Sequence, residues 1–174
     1  MNEKFETKHN NFKRIKLKNF MPLFVLSFIL MIGCLKDEKS PADYVDPMIG
    51  TDAGGHTFPG ACLPFGMVQL SPDTQIRRGG DSYDWSAGYR YDDNTIMGFS
   101  HTHFSGTGHS DLGDVLLMPM IGTAHRNPGT VEAPDSGYRS RFSHDQETAK
   151  AGYYAVELLD YGIKAELTAT ERVG

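Results

Sequence analysis

The chain has few cysteines, the residues that crosslink small exported domains, and little tryptophan. Its sequence includes two cysteines, Cys34 and Cys62, and a single tryptophan. Two cysteines cannot build a disulfide framework. We expect Cys62, which lies among glycines and prolines, to be a small buried apolar side chain. No apolar run approaches the roughly 20 residues that a helix needs to cross a hydrocarbon core, so the sequence predicts no membrane-spanning helix.

Basic residues are scarce beyond Gly33. The part of the chain from Cys34 onward holds 11 Lys/Arg against 20 Asp/Glu, and therefore carries a formal net charge of −9. Because contact with a phosphate backbone requires a basic surface, we expect no nucleic-acid partner. The length of this part suits one domain.

Residues 1–33 have the pattern of an export signal. Six Lys/Arg and two Glu lie within residues 1–19, and an apolar run extends from Phe20 to Ile32. A basic flank, a short apolar core and a small residue before a cleavage site are typical of a secretory signal peptide. The small residue here is Gly33.

The predicted cleavage region, residues 30–34 (LMIGC), resembles a bacterial lipobox. We therefore predict a lipoprotein signal peptide over residues 1–33 and a lipid attached to the thiol of Cys34, which would hold the protein at a membrane. An ordinary signal peptide followed by an incidental cysteine is the alternative. The polar residues 34–43 are predicted to be a tether.

Short strands are the elements that the remaining sequence predicts. Glycine and proline interrupt the chain every few residues from Tyr44 onward, and no long segment has the apolar period of a helix. Asp160-Tyr161-Gly162 predicts a hairpin turn. Five runs have strand character: 67–70, 95–99, 115–120, 153–158 and 163–170.

Together these elements predict a mainly β fold, an antiparallel β-sandwich over residues 44–174. The chain stops soon after the last predicted strand, which would leave an edge uncovered. We therefore expect this domain to be incomplete.

One segment concentrates histidine. Residues 99–111 hold His101, His103 and His109, three of the six histidines beyond Gly33. On an extended segment His101 and His103 would point the same way, and with His109 and Asp111 they are candidate ligands of zinc or iron. A loop whose imidazoles bond buried backbone groups is the alternative, and a position beside a substrate is a third. The acid that a cupin-type metal site requires is missing, so the metal site is the least favoured of the three.

The lone tryptophan, Trp85, lies among tyrosines and aspartates in the turn-rich segment 81–93. An aromatic face beside polar groups is typical of sugar recognition, because the ring stacks on C–H faces while acids and amides bond the hydroxyls. A tryptophan that caps the core of the sandwich is the alternative. The glycine-rich segment 50–60 lacks the ending of a phosphate loop, so nucleotide binding is not expected.

Five segments, in a fixed order, carry a resemblance to a known family. They are 44–51 (YVDPMIGT), 55–61 (GHTFPGA), 64–73 (PFGMVQLSPD), 88–91 (GYRY) and 98–108 (GFSHTHFSGTG). From residue 44 to residue 174 the sequence resembles glycoside hydrolase family 92, whose members are exo-acting α-mannosidases. The resemblance covers only the first part of the family's length.

The resemblance implies a two-domain, calcium-dependent, inverting enzyme in which an N-terminal β-sandwich packs on an (α/α)6 barrel. Inversion requires a general acid and a general base about 6.5–9.5 Å apart. In this family the barrel supplies both carboxylates and the principal Ca²⁺ ligands, and the sequence has no counterpart of the barrel. We therefore expect no catalytic residue, no metal ligand and no activity from this chain alone.

The resemblance also implies which residues contact the substrate, a mannose-containing glycan. Trp85 matches a tryptophan near the leaving-sugar subsite of α-1,2-specific members. His56, His101 and His103 lie in matching segments, and we expect them at the junction of the two domains. Residues 34–38 resemble the signal that sends lipoproteins of Bacteroidetes to the outer surface, which predicts an outer-membrane lipoprotein.

Three functions therefore compete. The first is the N-terminal part of a calcium-dependent exo-α-mannosidase, inactive alone. The second is a stand-alone surface lipoprotein that binds glycans. The third is a protein that depends on a metal held by its histidine cluster.

Overall fold

Short antiparallel strands joined by turns form the framework of the protein. The computed structural model describes residues 38–52, 55–75, 87–105 and 113–174. The predicted export signal with Cys34, and the candidate residues Trp85, His109 and Asp111, lie outside the described residues. Lys39–Gly174 form one compact unit.

The strands of the described part form three sheets, with every pairing antiparallel. The strands in chain order are β1 (Ala61–Cys62), β2 (Gln69–Asp73), β3 (Thr95–Ile96), β4 (Gly98–Ser100), β5 (Ser140–Arg141), β6 (Glu147–Lys150), β7 (Tyr153–Leu158) and β8 (Ile163–Thr168). The first sheet has the order β1-β2-β4, the second pairs β3 with β5, and the third has the order β6-β7-β8.

The third sheet confirms the hairpin predicted from Asp160-Tyr161-Gly162. Leu158 pairs with Ile163 next to the turn, and Gly162 has a φ of 60°, which glycine adopts without strain. Along β8 the side chains of Ala165 and Leu167 are buried, while those of the residues next to them are exposed. This alternation is what a strand with one face on the core requires.

The core lies between the first and third sheets, because β1 contacts β7 and β8, and β2 contacts β8. Leu70 and Phe99 come from the first sheet, whereas Val156, Leu158 and Leu167 come from the third. Full burial of such a side chain stabilises the fold by about 1.5–3 kcal/mol. The predicted fold class, mainly β with antiparallel sheets packed face to face, is confirmed.

Two predicted strands differ in the structure. The strand over 115–120 was wrong: Leu117 makes only an isolated bridge to Phe99, since Val115 has a φ of 56°, which a strand cannot contain. The run 95–99 is divided between β3 and β4. At the division Met97 N donates to Asp73 O at 2.7 Å, and a side chain at Gly98 would lie 2.9 Å from Leu117 O.

Strand β2 continues through Pro72 to Asp73, beyond the run 67–70 that the sequence predicts. Pro72 lies opposite Phe99, and Phe99 directs its own N–H and carbonyl to Leu117 on the far side. Pro72 and Phe99 are therefore a pair without mutual hydrogen bonds, and the N–H that proline lacks would point away from β4. Since β1 pairs only with Gln69 and Leu70, no bond is lost there.

Cys62 is half-buried rather than buried as expected. Burial raises the pKa of its thiol, which therefore stays protonated at neutral pH. Within the described ranges, no helix is long and apolar enough to cross a bilayer.

Candidate functional site

His103 is the candidate residue that the fold holds most firmly. Its side chain is 2% exposed, and its Nδ1 donates to the Gln69 carbonyl at 2.7 Å. Its Nε2 lies 3.0 Å from Asp73 Oδ1 and 3.1 Å from Ser100 Oγ. Because a carbonyl oxygen only accepts, Nδ1 carries a hydrogen. Both ring nitrogens are therefore occupied by protein groups of the first sheet.

The pair His103–Asp73 sits where β2 and β4 meet. Asp73 is the last residue of β2 and lies opposite Gly98 in β4. The chain then returns over this pair at Gly88, where a methyl group would lie 2.2 Å from Asp73 Oδ1 and 3.1 Å from the His103 ring. Only glycine fits this approach, so Gly88 lets the segment 88–91 close over the buried pair.

Two polar atoms of strand β2 have no partner among the described residues. They are Asp73 Oδ2 and Ser71 Oγ, both shielded from solvent. A buried polar atom without a partner costs about 1–3 kcal/mol. Such atoms are rare in folded proteins, and a functional role is one of the reasons for which they persist.

The segment that contains His56 contacts the same pair through Phe58. Phe58, two residues after His56, packs against the His103 ring with the centroids 5.1 Å apart. His56 has a φ of 53°, which a residue with a side chain seldom adopts outside turns and functional sites. Its Nδ1 is shielded and has no partner among the described residues.

His101 faces a different group. Its Nδ1 donates to the Val115 carbonyl at 2.9 Å, and its side chain lines an apolar groove of about 570 Å³ with Phe99, Leu117 and Leu167. The structure therefore places Phe58, two residues after His56, against His103, but assigns His101 to the segment after residue 112. Imidazoles that bond backbone carbonyls are the arrangement of the loop alternative, and the described residues contain no group of three His, Cys, Asp or Glu that could hold a metal ion.

The residues that flank the segments carrying Trp85 and His109 lie at this site. Thr74 N donates to Gly88 O at 2.9 Å, which closes the base of the segment that contains Trp85. Gly113 N donates to Thr102 O at 2.9 Å, next to His103. The described residues on either side of both segments therefore lie near the His103–Asp73 pair.

Arg139 binds the residue that follows β2, Thr74, close to the His103–Asp73 pair. Its side chain is buried, and one Nη donates to the Thr74 carbonyl and to Thr95 Oγ1, each at 2.8 Å. Burial lowers the pKa of this guanidinium, and the nearby charge of Asp93 partly opposes the shift. Arg139 thus fixes the position of Thr74, where β2 passes into the segment that carries Trp85.

A second buried carboxylate, Glu147, was missed by the sequence analysis. It accepts from Tyr89 Oη at 2.9 and 3.0 Å, from Tyr154 Oη at 2.6 Å and from His144 Nδ1 at 2.6 Å. Burial and the charge of Glu147 raise the pKa of both tyrosines well above the usual value. His144 also stacks on the ring of Tyr91, with the centroids 4.0 Å apart.

This second cluster holds the segment 88–91 at its other end. His144 Nε2 lies 2.7 Å from the Tyr91 carbonyl, so Gly88 rests on Asp73 and Tyr91 rests on His144. The signal that could have revealed it is the spacing of His144 and Glu147, three positions apart. The carboxylates of Asp73 and Glu147 are both enclosed and bond His or Tyr side chains, and the arrangement serves to position loops.

Comparison with known proteins identifies the family. Residues 44–174 match the glycosyl hydrolase family 92 N-terminal domain. A family GH92 alpha-mannosidase from Bacteroides thetaiotaomicron is 56% identical, and its structure, solved in complex with mannoimidazole, matches with a TM-score of 0.70 over 74% of this chain and 16% of its own. A second solved GH92 glycosyl hydrolase is 32% identical, with a TM-score of 0.60 over 75% of this chain and 17% of its own.

A curated relative from another organism extends the comparison. An uncharacterized secreted glycosidase of Arthroderma benhamiae is 36% identical over 150 residues, which are 86% of this chain and 18% of that protein. The chain thus spans less than a fifth of the length of each of these relatives. It belongs to glycoside hydrolase family 92, and residues 44–174 correspond to the N-terminal domain of that family.

Proposed function

We propose that this chain is the N-terminal β-sandwich part of an exported, calcium-dependent, inverting exo-α-mannosidase that acts on mannose-containing glycans. The observation that carries the proposal is the 56% identity to an alpha-mannosidase over 74% of the chain. Because the chain spans only 16% of that relative, the activity is proposed for the longer protein. A secreted glycosidase among the relatives supports export. The lipid anchor on Cys34 and the outer-membrane location rest on the sequence pattern.

The proposed contribution of this chain is contact with the leaving sugar. The segment with Trp85 starts and ends at the Thr74–Gly88 closure, which would present the indole from a fixed base. An indole that stacks on a pyranose ring supplies apolar contact without a charge. His103 lies beside that base, and we assign it a positioning role because both of its nitrogens are bound within the sheet. The contact of His56 with the substrate is proposed from the resemblance alone.

The catalytic carboxylates and the calcium ligands are proposed to lie in the rest of the enzyme. An inverting glycosidase needs two carboxylates that face a sugar and a water, whereas Asp73 and Glu147 have side chains only 2% exposed. Calcium requires six to eight oxygen ligands. The described part of this chain does not fit such a site, so no step is derived through the ion.

A chimera tests the proposal directly. Residues 44–174 would replace the matched part of the Bacteroides alpha-mannosidase, and hydrolysis of α-1,2-mannobiose would be measured with calcium present. We expect the chimera to be active and the isolated chain to be inactive. A folded chimera without activity, or turnover by the isolated chain, would refute the proposed function.

The role of Trp85 has its own test in the same chimera. We expect Trp85→Ala to lower kcat/KM for α-1,2-mannobiose about tenfold, equivalent to about 1.4 kcal/mol of transition-state binding. Hydrolysis of an aryl mannoside, which has no leaving sugar, should change much less, and Trp85→Phe should retain most of the activity. Equal losses on both substrates would assign Trp85 to core packing.

The second candidate, a stand-alone glycan-binding lipoprotein, is favoured by the core that the chain forms from its own two sheets. Calorimetric titration of the isolated chain with α-1,2-mannobiose distinguishes the two. Binding that Trp85→Ala abolishes, together with an inactive chimera, would support this candidate.

A further inference from the structure

The turn between β1 and β2 exposes an aromatic side chain in a strained conformation. Phe65 is fully exposed and has a φ of 62°. Its neighbours Leu63 and Met67 are also exposed, Met67 to 73%. A bulky residue with positive φ is rare, and a fully exposed phenylalanine gains nothing from the fold that carries it. Both features need a reason outside this domain.

The sequence around Phe65 is free of charge. Residues 53–72 and 94–110 contain no Asp, Glu, Lys or Arg in a chain that is 22% charged. The two stretches meet in the first sheet, where Ser71 lies opposite Ser100. The second stretch adds the half-exposed Phe104. Depletion of charge with enrichment of Phe and Met is typical of the centre of a protein interface.

The turn is held by hydrogen bonds and connected to the candidate site. Gln69 Nε2 donates to Gly66 O at 3.1 Å, and Met67 N donates to Glu171 O at 2.8 Å. The carbonyl of Gln69 in turn accepts from His103. A single residue therefore links the exposed turn to the buried histidine. A preformed apolar projection loses little entropy when a partner covers it.

We propose that the apolar turn formed by Leu63, Phe65 and Met67 docks the rest of the same enzyme, with Phe65 as its anchor. This inference rests on the proposed function. The occupant is a protein domain rather than a glycan, because sugar sites require polar groups that the turn lacks. It is the remainder of the enzyme because the relatives carry more than four fifths of their length beyond the part matched here, and because Gln69 connects the turn to the candidate site.

Because Phe65 has a positive φ, one substitution should affect the thermal midpoint differently in the isolated chain and in the chimera. Phe65→Gly relieves the positive φ and removes the ring. In the isolated chain we expect no fall in the thermal midpoint. In the chimera with the Bacteroides enzyme we expect the midpoint to fall by several degrees, and protease cleavage between the two parts to accelerate at least threefold.

The matched control is Val115→Gly. Val115 also has a positive φ of 56° and is 68% exposed, but it lies outside the apolar turn of residues 63–67. This change should leave the chimera unaffected, and Phe65→Leu should restore most of the midpoint that Phe65→Gly removes. If Phe65→Gly behaves like Val115→Gly in the chimera, the docking proposal is wrong.

Two further outcomes separate the alternatives. If the isolated chain sediments as a dimer that Phe65→Gly converts to a monomer, the occupant is a second copy and the proposal is overturned. A stable chimera that lacks mannosidase activity would refute the proposed function, while the midpoints and cleavage rates would still decide the docking of Phe65.

Discussion

The first and third sheets of the sandwich are built by different means. In the third sheet, β6, β7 and β8 follow one another through short turns, and each strand pairs with its neighbour in sequence. In the first sheet, β2 pairs with β4 although β3 and the segment that carries Trp85 intervene. Polar groups of Asp73, Ser100 and His103 fill that junction. The third sheet supplies local contacts and apolar burial, whereas the first supplies the anchors of the candidate site.

The two sheets therefore have different roles: the third stabilises the fold, and the first positions the candidate site. Strands with dense apolar contacts resist opening, whereas sites that bind ligands are drawn from less stable parts of a structure. We expect the third sheet to be the stable platform, and the first sheet to tolerate strain at His56 and Phe65 because it rests on that platform.

The largest expected effect is in the third sheet. Tyr154 is wholly buried and bonds Glu147, so Tyr154→Ala should lower the free energy of unfolding by about 3–5 kcal/mol, as measured by urea unfolding. The matched control is Tyr153→Ala, one residue earlier on the outward face, which should cost far less. Equal losses would mean that the third sheet is not the platform.

A smaller effect is expected at the His103–Asp73 pair. His103→Gln removes one partner of a buried carboxylate and should lower the free energy of unfolding by about 1–3 kcal/mol. His101→Gln is the control, since its imidazole bonds a single backbone carbonyl at a more open position. Fluorescence of the lone tryptophan would report whether the segment anchored at Gly88 changes with the pair. A cost at His101 as large as at His103 would contradict the assigned roles.

The two tyrosines on Glu147 predict a loss of stability in alkali. Burial and the charge of Glu147 raise the pKa of Tyr89 and Tyr154 in the folded state, so their contribution is complete below the unfolded pKa of about 10 and is lost as the pH rises above it. Each should cost at most about 1.4 kcal/mol per pH unit above that value. Unfolding midpoints measured from neutral to strongly alkaline pH give this slope, and Tyr154→Phe should reduce it. A midpoint that stays constant would contradict the burial of the hydroxyls.

The smallest effect should come from the exposed face of the third sheet. Lys164 bonds Glu166 at 3.1 Å, and both side chains are more than half exposed. Because exposed ion pairs are screened by solvent, Lys164→Gln should leave the thermal midpoint unchanged at physiological salt. A clear shift would show that this edge of the sheet carries more of the stability than its exposure indicates.

The same contrast explains what the sequence could predict. The hairpin of β7 and β8 was predicted correctly because its information is local: strand-forming runs on each side of Asp160-Tyr161-Gly162. The motifs of residues 44–174 identified the family, which the comparisons confirm. The predicted substrate contacts at Trp85, His56, His101 and His103 stay predictions, as do the lipid on Cys34 and the role of calcium.

Other features depend on contacts between distant residues. Nothing around Glu147 indicates that Tyr89, 58 residues earlier, would bond it. The strand predicted over 115–120 failed because a positive φ at Val115 is set by tertiary contacts and not by a turn residue. The predicted run 67–70 stopped before the end of β2 at Asp73; the strand passes Pro72 because proline ends a strand only where its N–H would be needed.

Pro72 has a consequence for how the first sheet can grow. The N–H that Pro72 lacks would face the side of β2 on which β1 ends after two residue pairs. A strand that paired with β2 on this side beyond Leu70 would therefore have one carbonyl without a hydrogen-bond donor. Strand pairing therefore stops on that side of β2, and Gly60 lies close to the backbone of Ser71 there. A proline at such a position opposes edge-to-edge pairing between copies of the protein. The neighbouring loop of residues 55–60 is therefore left for contacts other than strand pairing.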